Sequence, residues 1–141
     1  MDNQKTNVNA VWNGGIADNG TLKSEHFDIQ IALSKSSGGS GNGADPKVLL
    51  VSSATTCYIE TLIFMLESRG LPVDELTVNT DTTDGFTITH YPKIVLSADA
   101  TEAQIESAQR IIEGADRGCK VGNLLRKAGI IISVQGEVSI K

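Results

Sequence analysis

Apolar and polar positions change period several times along this chain, and each change marks an element. Phe27, Ile29, Ile31 and Leu33 alternate with polar residues, the period of a strand with one buried and one wet face. Residues 6–13 and 21–33 read as strands joined by a turn at Gly14, Gly15, Asp18, Asn19 and Gly20, residue types that tolerate positive φ. Residues 34–43, rich in serine and glycine, read as a flexible loop. Asp45-Pro46 then starts a helix, because an aspartate N-cap accepts orphan amide hydrogens and a proline at the first helical position sacrifices none. That helix is expected to run to about Arg69 and to stop at Gly70. Glu60 is the only charge between Val48 and Phe64, and Ser52, Ser53, Ala54, Thr55 and Thr56 crowd the middle. Such a helix is expected to be closely packed and buried nearly all round.

Residues 71–81 and 86–98 read as two more strands, a hairpin closed by Thr82-Thr83-Asp84-Gly85. Thr101 and Gln104 have the spacing of a capping box, and Ile105, Ala108, Ile112 and Ala115 share one face of the helix that follows. Gly118 breaks this amphipathic helix. Cys119 begins a short one carrying Val121, Leu124 and Leu125, which Gly129 ends before a β-branched run at 130–138. Strands that cluster instead of alternating with helices predict an α+β fold rather than a parallel α/β sheet.

A length of 141 residues is that of one domain, and 40% apolar with 21% charged residues is ordinary for a globular fold. The 17 carboxylates outnumber 12 Lys plus Arg, a net charge of -5 that leaves no basic face for phosphates and makes nucleic acid a poor partner. The first residues carry neither a positive region nor an apolar one, and no run of about 18 uncharged apolar residues follows. No membrane partner is expected, and the expected location is the cytoplasm.

Cys57 and Cys119 stand 62 positions apart, too few and too far to form a disulfide framework, so they read as free or transiently paired thiols. Cys57 lies mid-helix, a place for either a small core residue or a shielded nucleophile. It sits about three turns past its own helix start, so reactivity there needs a cation or an amide from elsewhere. Cys119 is either a packing residue at a helix junction or a thiol acidified by the amides of Lys120, Val121 and Gly122. His26 and His90 have no zinc-type spacing to the cysteines, so no metal is expected. His90, before Tyr91-Pro92, reads as a surface or strand-edge residue at a bend. Neither a Ser-His-Asp order nor a phosphate loop is present.

Two segments resemble the OsmC/Ohr family, the osmotically induced and organic-hydroperoxide-resistance proteins. Asp45-Pro46, Leu49, Ala54, Thr55 and Cys57, eleven positions after the proline, are similar to the family's N-P-E-x-L…A-C helix. Gly118-Cys119-x-x-x-Asn123-x-x-Arg126 is similar to its C-P-x-S-N-x-x-R segment. The resemblance implies an intertwined homodimer with long central helices wrapped by antiparallel β-sheets. It also implies a peroxidase in which Cys57 attacks an organic hydroperoxide and Cys119 resolves the resulting sulfenic acid as a disulfide. A dithiol reductant, such as a lipoylated protein, is implied in place of a bound cofactor. This chain departs from the pattern in having Lys47 where the family has glutamate, and no arginine before Arg69. Either Lys47 or a lysine of a second subunit stands in for the arginine as a point charge, or the fold serves as a non-catalytic stress protein that binds an apolar ligand at the dimer interface.

Overall fold

The computed structural model describes residues 5–141. The chain divides into two compact units, Met1–Leu49 and Leu50–Lys141.

In the first unit, β1 (Asn9–Asn13), β2 (Asn19–Lys23) and β3 (Asp28–Ala32) form an antiparallel sheet in chain order. The segment 21–33 is therefore two strands rather than one. The chain reverses between them, the Ser24 amide donating to the Phe27 carbonyl at 2.8 Å. Residues 34–43, expected to be flexible, are held by main-chain hydrogen bonds around a 3-10 turn at Lys35–Ser37. The amides of Gly39, Gly41 and Ala44 donate to Ser34, Leu33 and Gln30 at 2.9, 3.0 and 2.9 Å. Serine and glycine here serve a compact turn that returns the chain to β3. Asp45 then caps α1 (Pro46–Ser68) as expected, its carboxylate accepting the Val48 amide at 2.9 Å.

The second unit contains most of α1, then β4 (Val73–Thr82), β5 (Thr87–Leu96), α2 (Glu102–Gly118), α3 (Lys120–Lys127), β6 (Ile131–Val134) and β7 (Glu137–Ile140). β4 and β5 make the expected antiparallel hairpin. β6 and β7 both run parallel to β5, so this sheet is mixed rather than antiparallel throughout. The cause is the connection: α2 and α3 carry the chain back to the end where β5 began, and such a crossover yields parallel pairing.

The run 130–138, read as one strand, is interrupted at Gln135 and Gly136. Val134 pairs with His90 and Glu137 with Lys93, which sets the interruption opposite Tyr91 and Pro92. Proline has no amide to donate, so the ladder breaks where it meets Pro92. Gly136 fits there because a Cβ would lie 2.9 Å from the Pro92 ring and 2.8 Å from Ile112.

Tyr58, Leu62 and Leu66 of α1 pack with Ala108, Ile111, Ile112 and Ala115 of α2 and with Ile94 and Leu96 of β5. The capping box starts α2 as expected: the Thr101 hydroxyl accepts the Gln104 amide at 3.2 Å, and the Gln104 side chain accepts the Thr101 amide at 2.9 Å. Within one chain α1 is not buried all round. Its buried residues, Ala54, Tyr58, Leu62 and Leu66, form one stripe four residues apart, while Ile63 and Phe64 are 48% and 79% exposed. By length and composition α1 is apolar enough to cross a membrane, with a mean hydropathy of 1.6 over an 18-residue window. Its stripe instead fills the centre of a mixed α/β core. Leu62→Ala is expected to lower unfolding free energy by about 2–5 kcal/mol, read from the urea midpoint, because it empties a fully buried site between α1 and α2.

Candidate functional site

The site grows from the place where α1 passes the junction of α2 and α3. Tyr58 points into the core and its hydroxyl donates to the Ile112 carbonyl at 2.9 Å, which ties α1 to α2. Cys57, one position earlier, is half-buried at the rim of the same core, and Cys119 is fully buried inside it. The two cysteines are brought to one place, the first turn of α3, whose successive amides lie against their sulfurs.

Only Cys119 separates the two helices, so it closes α2 and caps α3 at once. Its own amide donates to the Asp116 carbonyl at 3.4 Å. The free amides in the first turn of α3 are then shared between the sulfurs. Val121 donates to Cys57 Sγ at 3.5 Å, and Gly122 donates to Cys119 Sγ at 3.4 Å. The outside donor that Cys57 needs thus comes from a helix start 64 residues further on. At Gly122 a Cβ would press on Cys119 Sγ at 3.3 Å, so glycine lets the sulfur lie across the turn.

Of the two readings of Cys119, packing residue or acidified thiol, burial favours the first. Burial pushes its thiol up to about 11, against the Gly122 amide, and the Cys57 thiol and Asp116 carboxylate push the same way. Desolvation of a thiolate outweighs one weak hydrogen bond from a helix start.

His90 is likewise not at a surface bend. It is 1% exposed in the middle of β5, stacked on the Tyr58 ring at 4.7 Å with an interplanar angle of 3°. Its Nδ1 lies 2.8 Å from Thr80 Oγ1, which lies 2.8 Å from Thr55 Oγ1. Burial lowers its pKa, Asp116 opposes that shift and Arg126 adds to it. The alternation of Ile88, His90, Pro92, Ile94 and Leu96 on the inward face of β5 is the signal that identifies it. His26 is on the surface, 3.7 Å from Glu25.

Lys47 is in the first turn of α1, about three helical turns before Cys57, and helix geometry does not bring it alongside that thiol. Asp116 and Arg126, the second of them the last residue of the second motif, complete the junction. Arg126 of α3 forms a two-point ion pair with Asp116 of α2, at 2.8 Å to each carboxylate oxygen. The spacing of ten residues across a helix break follows no local rule that would reveal this pair. Among the described residues no three His, Cys, Asp or Glu side chains converge as a metal-binding group.

Two thiols that share the amides of one helix start, set in an α+β core, are the reactive groups this junction gathers. The chain belongs to the OsmC-like protein family, whose model matches residues 39–135. It is 30% identical to the uncharacterized protein YmaD of Bacillus subtilis (strain 168), over 95% of this chain and 93% of that one. An OsmC-like protein from Mycoplasma pneumoniae has the same fold, with a TM-score of 0.73 and 20% identity over 98% of this chain and 99% of that one. An organic hydroperoxide resistance protein from Elizabethkingia anophelis, solved with thiocyanate bound, superposes with a TM-score of 0.66 and 24% identity, over 99% of this chain and 100% of that one.

Stability should fall toward both pH extremes for identifiable reasons. Below about 6.5 the unfolded chain protonates His90 while the folded core resists, so stability falls as pH falls. Above 9.0 the unfolded chain loses the Cys119 proton while the folded protein holds it to about 11, so stability falls as pH rises through that window. Tyr58, also kept protonated by burial, extends the fall above 10.0. Urea midpoints of reduced protein should show the alkaline decline, and Cys119→Ala should flatten it between about 9 and 10.

Proposed function

We propose that this protein is a cytoplasmic thiol peroxidase that reduces organic hydroperoxides, acting as a homodimer of a single OsmC-like domain. The observation that carries the reading is that the Cys57 and Cys119 sulfurs accept the adjacent amides of Val121 and Gly122 in one helix turn. Cys57 is the nucleophile because it is the more accessible thiol and its sulfur accepts an amide at a helix start. Its thiolate attacks the terminal peroxide oxygen. The O–O bond breaks, the leaving alkoxide takes a proton to become the alcohol, and Cys57 becomes a sulfenic acid.

Cys119 then attacks that sulfur and displaces hydroxide, which leaves as water with one proton, so two thiols and one hydroperoxide give a disulfide, an alcohol and water. Burial of Cys119 protects the resolving thiol from peroxide while keeping it next to its target. A dithiol reductant, such as a lipoyl group on a partner protein, would return the disulfide to thiols by exchange.

The homodimer is supported by the apolar side of α1 that one chain leaves uncovered, Ile63 and Phe64 included. Charge assistance to the peroxide is assigned to Lys47, delivered from the second subunit, because about 15 Å along its own helix exceeds the range of an exposed charge at physiological salt. The presence of Lys47 where the family has glutamate favours a second reading, a non-catalytic protein holding an apolar ligand at the subunit interface.

Mixing reduced protein with cumene hydroperoxide or hydrogen peroxide, and following thiol loss and protein mass, separates the two readings. The peroxidase consumes the organic peroxide faster and accumulates a Cys57–Cys119 disulfide; Cys57→Ser abolishes the reaction and Cys119→Ser halts it at the sulfenic acid. Thiols no more reactive than free cysteine would leave the binding protein. Lys47→Met should slow Cys57 oxidation severalfold, and an unchanged rate removes Lys47 from the mechanism. Phe64→Asp should convert the dimer to monomer in sedimentation velocity, because it places a charge in the shared apolar contact.

A further inference from the structure

The position of the Cys119 sulfur depends on the angle between two helices that share a single linking residue. α2 ends at Gly118 and α3 starts at Lys120, so no loop absorbs a change in that angle. Across this junction lies the Arg126 guanidinium. One nitrogen donates to both Asp116 carboxylate oxygens at 2.8 Å and to the Ile132 carbonyl at 3.1 Å. The other donates to the Asp116 carbonyl at 3.3 Å and to Asn123 Oδ1 at 3.1 Å, and the Asn123 amide donates to the Arg117 carbonyl at 2.9 Å. One planar cation therefore binds the last turn of α2, the body of α3 and the start of β6. The pair is mostly shielded, with side-chain exposures of 31% and 16%.

We infer that the Asp116–Arg126 ion pair is a positioning element that sets the α2–α3 junction so that Cys119 and the first amides of α3 meet Cys57, and so governs formation of the Cys57–Cys119 disulfide. The inference rests on the two-cysteine reading above and deepens it. Neither residue touches the reacting sulfurs as an acid or a base. Besides the charge that Asp116 sets against ionisation of Cys119, their effect is on the effective concentration of one thiol at the other, a quantity set by geometry. Lysine at position 126 would keep the charge and lose the fork that reaches several acceptors at once, so it should restore only part of the effect.

The test measures that effective concentration without peroxide. Reduced protein is equilibrated with glutathione and glutathione disulfide, which takes up two electrons and two protons as the protein dithiol becomes a disulfide and two glutathione thiols form. The oxidised fraction is read by alkylation and mass. Arg126→Met and Asp116→Asn should each lower the equilibrium constant for the internal disulfide at least tenfold, a rise in reduction potential of about 30 mV. Arg126→Lys should fall between them and the unaltered protein.

A merely structural pair would instead lower the urea midpoint of the reduced protein while leaving the disulfide constant within twofold, and that result overturns the inference. Asp116→Asn, which preserves shape, decides the matter where Arg126→Met does not fold. Unaltered protein that forms no Cys57–Cys119 disulfide at any glutathione ratio overturns both this inference and the two-cysteine reading. Inertness toward peroxides with the glutathione result as expected removes the peroxidase reaction and supports the positioning role.

Discussion

Everything at the site follows from the way α1 buries one stripe against α2. Ala54, Tyr58, Leu62 and Leu66 recur every four residues, so they face inward together, and Tyr58 is fastened to the Ile112 carbonyl. Once Tyr58 is fixed, the residue before it has no freedom: Cys57 must emerge at the edge of the same interface. The α2–α3 junction lies at that edge, where first-turn amides lack partners within their own helix. The chemistry of the two sulfurs is thus a consequence of helix packing and not of a dedicated loop.

That arrangement treats the two thiols differently. Cys57 has an amide donor and partial access from outside; Cys119 has an amide donor too, but is enclosed by the core. Desolvation outweighs a single sulfur hydrogen bond, so the helix start does not acidify the buried thiol. One thiol is reachable from outside and the other is enclosed, without any difference in residue type, and the proposed division of labour uses that asymmetry. His90, stacked on Tyr58 and linked through Thr80 to Thr55, braces the opposite side of the same tyrosine. Its burial makes it part of the frame on which Cys57 is mounted.

Much of the scaffold is legible in the residues because local signals carry it. Asp45-Pro46, the Thr101 and Gln104 box, and Gly70 and Gly129 mark helix ends through backbone chemistry that needs no distant partner. The alternation in β5 even contains the burial of His90, which the neighbouring Tyr91-Pro92 obscures. Boundaries set by pairing partners were harder to read. Strand β3 separates from β2, and β7 from β6, where the chain must reverse or meet a proline on another strand. Serine and glycine at 34–43 have the composition of a flexible segment, yet their main-chain groups close a compact turn.

By itself the sequence determined the class of fold, the ends of its helices and the identity of the two thiols, because those depend on period, capping and residue chemistry within a few positions. Only the tertiary structure decided which amide faces which sulfur, that burial raises rather than lowers the Cys119 pKa, and that Asp116 reaches Arg126. Each of these depends on the angle at which one helix meets another. That angle arises from the summed packing of residues far apart in the chain, and no local pattern encodes it.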